Sequence, residues 1–312
     1  MGRMVGAACR AILVAAASSL VAVQAGFADW RDEIDLLRVG VFAPTGAAYD
    51  ATRLEPFRLY LQDRARVPVA LVTFDSYDAL IAAHEAADID YGINTATSFA
   101  TAAVSCGCVE AIAAPVAADG ALGFHSILVA SADSDIASLA DARGKSLALT
   151  GADSVAGRLV PMAAFAEEGI APRQYFTRIA TVEDPRAAIT AVLSGDVDVG
   201  VGWSSLTGPS ATGYDFGVLS RMVAADELDM ARIRVIWKSP LIPFGPHVVR
   251  STLPPELKQL LGQALTLMAQ TNPQALDAVD RLGFGGGGFT TPDASLYSVV
   301  IDLVTPEEAS GQ

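Results

Sequence analysis

A pattern that occurs twice in the chain decides the fold. Residues 74–94 read FDSYDALIAAHEAADIDYGIN, and residues 182–202 read VEDPRAAITAVLSGDVDVGVG. Each copy starts with a capping residue or a proline, continues as an apolar helix, and passes an acidic corner before a short apolar strand. The repetition predicts two similar units of helix and strand, and therefore two lobes.

Both copies contain Asp-x-Asp-x-Gly, at residues 88–92 and 196–200. The same spacing begins a calcium-binding loop, but that loop requires a glutamate further along, and neither copy supplies it. We therefore predict a polar corner that leads into a buried strand, and we predict no metal site.

Further apolar runs continue the alternation of strands and helices. Residues 36–41 and 147–149 predict strands, each followed by a loop of small and polar residues. The helix after the second loop should end near Gly169, and Pro161 should either kink it or mark a late start. Such alternation predicts parallel α/β sheets, which bind ligands beyond the carboxyl ends of their strands. With two lobes, that edge lies in the cleft between them.

The composition limits the classes of function. The chain has 312 residues, of which 52% are hydrophobic and 18% are charged, so it can bury a substantial core. It carries 21 lysines and arginines against 35 aspartates and glutamates, for a net charge of −14. Such an acidic chain is poorly suited to nucleic acid or to an anionic membrane surface. We therefore expect no nucleic-acid partner.

Residues 1–28 have the pattern of a secretory signal peptide. A short basic segment precedes an apolar run at 11–23 and then a stretch of small residues. The run is too short to span a hydrocarbon core as a helix, which requires about 20 residues, and a retained membrane anchor is the alternative. Small residues at the required positions allow cleavage after Ala25 or after Ala28. We expect an exported protein.

Cysteine and histidine are sparse. Cys9 belongs to the expected signal peptide, which leaves Cys106 and Cys108 in the sequence Ser-Cys-Gly-Cys. In an oxidising compartment such a pair can form a small disulfide ring, and we favour this local loop staple over a redox function. With three histidines in the whole chain, a multi-ligand metal site is not expected.

Motifs for catalysis are missing from the sequence. It contains no G-x-S-x-G elbow, no H-E-x-x-H, no P-loop and no G-x-G-x-x-G after a strand. None of the three histidines lies in a motif that pairs it with a nucleophile, and His84 is expected on the exposed or boundary side of a helix. The run Gly285–Gly288 lacks the context of a phosphate cradle and is interpreted as a surface turn. We predict no enzymatic activity and no cofactor.

Ser154 marks the start of a predicted helix directly after a strand. The next residues, Val155, Ala156 and Gly157, let a ligand approach the backbone. A helix N-terminus presents unpaired N–H groups and a partial positive charge, so it can hold an oxyanion without a lysine. The Ser154 hydroxyl can donate as well. The alternative is that Ser154 is only the N-cap of the helix.

Several stretches of the chain together form a family pattern. They are His125–Val129, Ser134–Leu139, Arg143–Ala148, the turn Ser154–Gly157 with Pro161, Ala187–Val192, Gly195–Asp198 and, most specific, Ile233–Pro243. In this order, and over about residues 36–303, the chain resembles the phosphonate/phosphite/phosphate solute-binding proteins of ATP-driven importers.

The resemblance implies a type II periplasmic binding protein fold. Such a fold has two α/β lobes, each a mostly parallel sheet flanked by helices, with the ligand cleft between the lobes. We expect lobe one at 29–125 and 235–312 and lobe two at 126–234. The chain should cross between the lobes near 125–128 and near 231–239.

The resemblance also implies a set of ligand-binding residues. In the family, a Ser-Thr-Ser-Gly turn at a helix start holds the oxyanion, and Ser154, Val155, Ala156 and Gly157 occupy that turn here. Loops of lobe one, at 44–46 and 94–99, should close on it from the other side. The remaining candidate residues are Thr45, Asn94, Thr95, Phe99, His125, Ser126, Arg186 and Trp203.

The chain departs from the family pattern around this turn. Val155 and Ala156 remove two hydroxyl donors, and Pro185 stands where the family has a histidine. Each missing charge-assisted bond to a desolvated anion costs about 1.5–3 kcal/mol. Arg186 could replace the histidine as a bidentate donor, and the alternative is an exposed arginine at a helix start.

Other positions in the sequence do not determine the identity of the ligand. Some phosphonate binders carry acids, which face an amino group, where this chain aligns Ser205 and Gly245. Trp203 and Phe99 are expected to form an apolar wall of the cleft, with core packing as the alternative. The scaffold is therefore predicted more sharply than the ligand.

We predict a periplasmic solute-binding protein of an ABC importer, which closes its lobes around a small oxyanion of the phosphonate, phosphite or phosphate class. Its expected partners are this anionic ligand and an ABC permease in the inner membrane, and the protein itself is expected to be a monomer. One alternative keeps the fold but binds a different small organic solute, or reports its ligand to a membrane sensor. A hydrolase that uses Ser154 is a third hypothesis, which lacks a base motif.

Overall fold

The computed structural model describes residues 30–43, 51–280 and 287–305, and these residues alternate between strands and helices. The strands are β1 (Leu37–Phe42), β2 (Val69–Phe74), β3 (Tyr91–Ile93), β4 (Val109–Pro115), β5 (Gly123–Ser131), β6 (Ser146–Leu149), β7 (Arg178–Thr181), β8 (Val199–Ser204), β9 (Ile233–Lys238), β10 (Ile242–Pro243), β11 (His247–Arg250) and β12 (Phe289–Thr290). The helices are α1 (Glu55–Ala65), α2 (Tyr77–Glu85), α3 (Ala96–Ser105), α4 (Val160–Glu167), α5 (Pro172–Tyr175), α6 (Pro185–Ser194), α7 (Val218–Ala224), α8 (Pro255–Thr271), α9 (Pro273–Val279) and α10 (Ser298–Val304).

The first sheet has the strand order β12-β4-β11-β3-β1-β2. Strand β1 pairs in parallel with β2 and β3, whereas β11 lies between β3 and β4 and is antiparallel to both. Strands β1 to β4 therefore share one direction, and β11 and β12 run against them. Helices α1, α8 and α9 contribute apolar side chains to the main core beside this sheet.

The second sheet has the order β10-β5-β8-β6-β7, with β9 paired to β5 as well. Strand β6 is parallel to β7 and β8, and β5 is antiparallel to β8, β9 and β10. All strands of this sheet except β5 therefore run the same way. The expectation of an α/β fold with two sheets, each dominated by one strand direction and flanked by helices, is confirmed.

The chain passes between the two sheets twice, at 116–122 and at 244–246. The crossings expected near 125–128 and 231–239 fall instead within β5 and β9, which pair with each other in the second sheet, so that expectation was wrong. The lobe boundaries stay a prediction. The pairing of β9 and β10 with β5 places residues up to 243 on the second sheet, beyond the expected return to lobe one at 235.

The repeated pattern forms the same structure twice. Helix α2 is capped by Ser76 and leads to β3, and helix α6 is capped by Asp184 and leads to β8. The second aspartate of each acidic corner accepts a backbone N–H at the start of the neighbouring strand. Asp90 accepts from Arg38 at 3.0 Å, and Asp198 accepts from Ser146 at 2.7 Å. The predicted polar corners before buried strands are confirmed, and each one ties two parallel strands together.

Asp90 is also the centre of a buried ion cluster. Its carboxylate receives two bonds of 2.9 Å from the Arg38 guanidinium and one of 2.8 Å from Arg250. The Asp90 side chain is only 2% exposed. Burial alone would raise the pKa of this carboxyl group, but the hydrogen bonds from Arg38 and Arg250 outweigh burial and lower it. The cluster links β1, β3 and β11 at one end of the first sheet.

The predicted strands at 36–41 and 147–149 correspond to β1, which is displaced by one residue, and to β6, which begins one residue earlier than predicted. The helix after β6 starts late, because residues 155–159 form a single wide π-helical turn before α4. Pro161 takes the second position of α4, and Gly169 follows the helix with a φ of +68°. Cys106 and Cys108 form a disulfide directly after α3. Among the described residues, no helix combines the length and apolarity needed to span a membrane.

Candidate functional site

A cavity of about 340 Å³ lies where the two sheets meet. This volume falls within the range of small-molecule sites, roughly 300–1,000 Å³. Side chains of both sheets line the cavity, because its walls include the end of β3, the end of β4, the start of β5, the short strand β10 and the second crossing at 244–246. We call one part of the lining the helix end and another the apolar end. The helix end consists of Tyr77, Asn94, Thr95, Ala96, Thr97 and Val155, and the apolar end of Pro115, Val116, His247, Leu276, Val279 and Phe289.

The start of α3 supplies the donors of the helix end. Thr95 caps the helix by accepting from the Ser98 N–H, and the Ser98 hydroxyl accepts from the Thr95 N–H in return. This reciprocal cap does not use the N–H groups of Ala96 and Thr97, which donate to no acceptor in the described part of the chain. These two groups border the cavity at the positive end of a helix of ten residues.

The turn after β6 faces the same cavity through Val155. Ser154 is the N-cap, and its Oγ accepts from the Gly157 N–H at 3.2 Å. Gly157 is required here, because a Cβ would lie 1.9 Å from the buried Thr150 hydroxyl. Ser126 supports the turn by donating to the Ala156 carbonyl at 2.6 Å. Ser154 therefore caps this turn, and its role in ligand binding stays a prediction, because Ser154 itself does not line the cavity.

Two buried polar side chains stand beside the helix end without well-aligned hydrogen bonds to described residues. They are His84 of α2, with both ring nitrogens, and Asn94, with both amide atoms. Asn94 is 5% exposed and lines the cavity. Burial lowers the pKa of His84 to about 4, and the Asn94 amide and the Asp90 carboxylate oppose this in part. The expectation that His84 lies on an exposed or boundary face was wrong, because α2 packs this face onto Gly92 of β3.

The structure brings three of the predicted residues directly to the cavity, namely Asn94, Thr95 and Val155. Their chain neighbours Ser154, Ala156 and Gly157 form the turn behind Val155. Thr45 lies outside the described residues. The remaining predicted residues make other contacts.

Phe99 stacks edge-to-face on Tyr297, with ring centroids 5.0 Å apart. His125 bonds through Nδ1 to the Ser239 carbonyl at 2.7 Å. Arg186 forms an exposed ion pair with Glu227 at 2.9 Å, which is the alternative of a surface arginine at a helix start. None of these three residues lines the cavity, so their assignment to ligand binding stays a prediction without a contact to support it.

Trp203 reaches the cavity only through a second aromatic ring. Its ring lies 5.3 Å from Phe124 and 5.2 Å from Phe216, and the Arg221 guanidinium lies 5.1 Å above it. Phe124 lines the cavity, and Trp203 supports it from behind. The apolar wall expected of Trp203 is thus provided by Phe124, one residue before the stretch His125–Val129.

Much of the cavity lining was not predicted from the sequence. Tyr77 follows the N-cap of α2 after β2, so the rule of carboxyl strand ends could have found it. The residues of the apolar end carry no such signal, because α9, β4 and β12 are far apart in sequence. Gly287 and Gly288 of the predicted surface turn line the cavity, and the other two glycines of that run lie outside the described residues.

Gly245 provides a test of how closely the second crossing packs on α3. A Cβ at this position would lie 2.1 Å from the Asn94 carbonyl oxygen and 2.6 Å from the Thr95 Cα, which are backbone atoms. We expect Gly245→Ala to lower the free energy of unfolding by about 1–3 kcal/mol, measured by chemical denaturation. The control is Gly151→Ala, whose Cβ would have no atom within 4 Å. Equal stability of the two variants would contradict the close contact.

The donors and apolar groups of the cavity suit an amphipathic ligand. The helix end offers backbone N–H groups and hydroxyl groups, and the opposite end offers hydrocarbon side chains together with His247 and Asp280. Among the described residues that line the cavity there is no lysine or arginine. An oxygen acceptor can therefore bind at the helix end through dipoles and hydrogen bonds.

Comparison with known proteins gives consistent results. The model of a family described as "ABC transporter, phosphonate, periplasmic substrate-binding protein" matches residues 41–297. The phosphonates-binding periplasmic protein of Escherichia coli (strain K12) is 31% identical over 180 residues, which cover 56% of this chain and 49% of that protein. The chain thus aligns with about half the length of that relative.

Two crystal structures extend the comparison to the fold. A binding protein component of an ABC phosphonate transporter from Pseudomonas aeruginosa is 24% identical, covers 86% of this chain and 85% of its own, and gives a TM-score of 0.53. PhnD1 from Prochlorococcus marinus, in complex with methylphosphonate, is 17% identical, covers 86% of this chain and 97% of its own, and gives a TM-score of 0.55. At these identities the two structures indicate a shared fold and nothing about the ligand of this chain.

Proposed function

The chain belongs to the family of periplasmic substrate-binding proteins of phosphonate ABC transporters, and on that premise we propose that it binds a small phosphorus oxyanion by closing two lobes around it. The fold is the type II periplasmic binding protein fold, and the family acts in transport. The closed form would then dock on an ABC permease in the inner membrane. The protein would act as a monomer in the periplasm, without catalysis and without nucleic acid.

One observation carries this proposal. The cavity is bounded by both sheets, and two helix starts reach it, one after a strand of each sheet. Ala96, Phe99, Val155 and Val160 belong to one apolar cluster, so the two helix starts are packed together. A ligand at this point would touch both lobes, and its binding energy would favour the closed arrangement over the open one.

The start of α3 and the Ser154 turn each contribute a separate pair of donors to binding. The Thr95 cap fixes the start of α3, so that the N–H groups of Ala96 and Thr97 point to the oxyanion. The Ser154 turn presents the N–H groups of Val155 and Ala156 from the other lobe, and neither has an acceptor in the described part of the protein. These backbone donors are retained, whereas the hydroxyl groups that the family turn has at 155 and 156 are missing.

The proposal is tested by ligand-induced thermal stabilisation of the purified protein, stripped of ligand by partial unfolding and refolding. The panel contains phosphate, phosphite, methylphosphonate, aminoethylphosphonate, small sulfonates and small carboxylates. A ligand present at 100 times its dissociation constant should stabilise the protein by about 2.7 kcal/mol, a shift of several degrees. If no phosphorus compound shifts the melting temperature, the proposed function is wrong.

The variant Ser154→Glu tests whether the oxyanion binds at the turn Ser154–Gly157. A carboxylate at this position should repel the ligand and weaken binding by about 100-fold, while loss of the N-cap costs about 1 kcal/mol of stability. Ser210→Glu is the matched control, because Ser210 is exposed on the second lobe away from the cavity. Unchanged affinity in Ser154→Glu would remove Ser154 from the site without affecting the rest of the proposal.

A further inference from the structure

A second groove lies along β7, which is the last strand in the order of the second sheet. Its walls are formed by β7, by parts of the segment 171–177 that precedes it, and by Arg158 and Met162 at the beginning of the α4 region. The groove has a volume of about 660 Å³ and shares no lining residue with the cavity described above. We call it the β7 groove.

Three arginines line the β7 groove, and none of its described lining residues is acidic. The arginines are Arg158, Arg173 and Arg178. None of them forms an ion pair with a carboxylate in the described part of the chain. This is unexpected in a chain with 35 acidic and only 21 basic residues, where most of the surface charge is negative. The β7 groove is therefore a local concentration of positive charge.

Arg158 is held in a fixed position at the groove. Its Nε donates to the Thr150 carbonyl at 2.6 Å, and Nη2 donates to the Thr181 hydroxyl at 2.8 Å. Both acceptors are neutral, and these bonds use two of the five N–H donors of the guanidinium group. A charged group that is already ordered loses less conformational entropy when an anion binds to it.

Arg173 and Arg178 complete the cationic lining. Arg173 is exposed on α5, and its side chain has no hydrogen bond or ion pair with the described residues. Arg178 donates to the Asp196 carbonyl at 2.5 Å. Hydrogen bonds from Ser146 are the main cause that lowers the pKa of Asp198, and the charge of Arg178 adds a smaller contribution. Asp198 stays bonded to Ser146 and forms no ion pair with Arg178.

The arrangement suits an anion with more than one charged group. Guanidinium groups bind the oxygens of phosphate and carboxylate in pairs. The three arginines come from three elements, namely the turn before α4, helix α5 and strand β7, so they surround the groove from different sides. At physiological ionic strength, charges more than about 8 Å away are largely screened, so the acidic residues elsewhere on the protein oppose binding only weakly.

We propose that the β7 groove is a second ligand site, which binds a small polyanion with two or more oxyanion groups, either a condensed phosphate or a polycarboxylate. The proposal does not rest on the proposed function, because the two sites share no lining residue. It assigns a role to the arginines of an otherwise acidic protein.

The test is calorimetric titration of pyrophosphate, tripolyphosphate and citrate into the purified protein. Arg173→Gln and Arg178→Gln should each weaken the binding of these polyanions at least tenfold, which corresponds to about 1.4 kcal/mol. Methylphosphonate, which reports on the cavity, should keep its affinity within twofold in both variants. Arg158 is left unchanged, because its bond to Thr150 also supports the Ser154 turn.

Arg66→Gln is the matched control for the loss of one charge. Arg66 is exposed between α1 and β2, its side chain has no bond to a described residue, and it lies on neither the groove nor the cavity. The control should bind the polyanions within twofold of the original protein. If Arg66→Gln weakens them as much as the groove variants do, overall charge attracts the anions and the proposal is overturned.

The remaining outcomes are also decisive. Binding of citrate together with the condensed phosphates assigns the groove to polyanions in general, and binding of the phosphates alone assigns it to condensed phosphates. Both results support the proposal if the two groove variants lose the binding. Unchanged affinity in both variants, or no binding of any polyanion, overturns it, and the arginines would then serve only to keep the open edge of β7 from pairing with another chain. The methylphosphonate titration tests the proposed function separately.

Discussion

Replacement of Asp90 by alanine is expected to lower the free energy of unfolding by about 2–4 kcal/mol, because it removes the buried carboxylate that two partly exposed arginines share. Arg38 and Arg250 each bond to the Asp90 carboxylate, and the Arg38 backbone N–H bonds to it as well. The variant loses both the ionic contacts and the link between β1 and β3. Chemical denaturation at neutral pH measures the change.

The second copy of the motif supplies a matched control for this variant. Asp198 occupies the same place in the repeat and accepts the Ser146 N–H, but it is exposed and pairs with a serine hydroxyl instead of an arginine. Asp198→Ala should cost only about 1 kcal/mol. If the two alanine variants lose the same stability, the buried ion cluster contributes no more than an ordinary strand cap, contrary to this prediction.

Replacement of His84 by leucine is expected to remove an acid-dependent loss of stability. Because burial lowers the pKa of His84 to about 4, the unfolded chain binds a proton near pH 6.5 that the folded protein does not accept until about pH 4. Stability should therefore fall as the pH is lowered from about 6.5 to about 4, by about 3 kcal/mol in total. Denaturation curves at several pH values in this window measure the slope.

In His84→Leu that slope should be reduced, while stability at neutral pH stays close to that of the original protein, since both ring nitrogens already lack well-aligned partners among the described residues. Asp90 accounts for a separate loss at lower pH. Its lowered pKa means that its stabilisation is complete above the usual carboxyl range and disappears as the pH falls through the folded value. Identical pH profiles for the two proteins between 6.5 and 4 would contradict the role of His84.

The sequence predicted those parts of the fold that depend on local signals. The capping residues Ser76 and Asp184 predict the starts of α2 and α6, and the repeated acidic corner predicts β3 and β8. The chain crossings were misplaced because an apolar run such as β5 has the same pattern whether it joins two lobes or pairs within one. That choice depends on its partners β8, β9 and β10, which are remote in sequence.

The candidate site was predicted where a helix start follows a strand, as at Asn94, Thr95 and Val155. It could not be predicted where side chains meet by tertiary packing alone, as Phe124, Val116 and Phe289 do. Arg186 is an example of the opposite error, in which the sequence suggested a ligand contact that nothing in the structure supports. Its position beside a helix start suited a ligand, but its nearest anion is the Glu227 carboxylate on the surface, and sequence spacing carries no information about that pair.

The place of β11 in the first sheet has a consequence for the order in which the protein folds. Strand β11 lies between β3 and β4 in the first sheet. In the sequence, however, it follows the whole second sheet, which spans residues 123–243. Until His247–Arg250 arrives, β3 and β4 have no shared neighbour, whereas the second sheet needs no strand from outside its own continuous segment. Pairing across so long a stretch of chain closes a large loop and is slow. The second lobe can therefore fold first, and the return of one four-residue strand then completes the first lobe and the wall of the cavity that His247 forms.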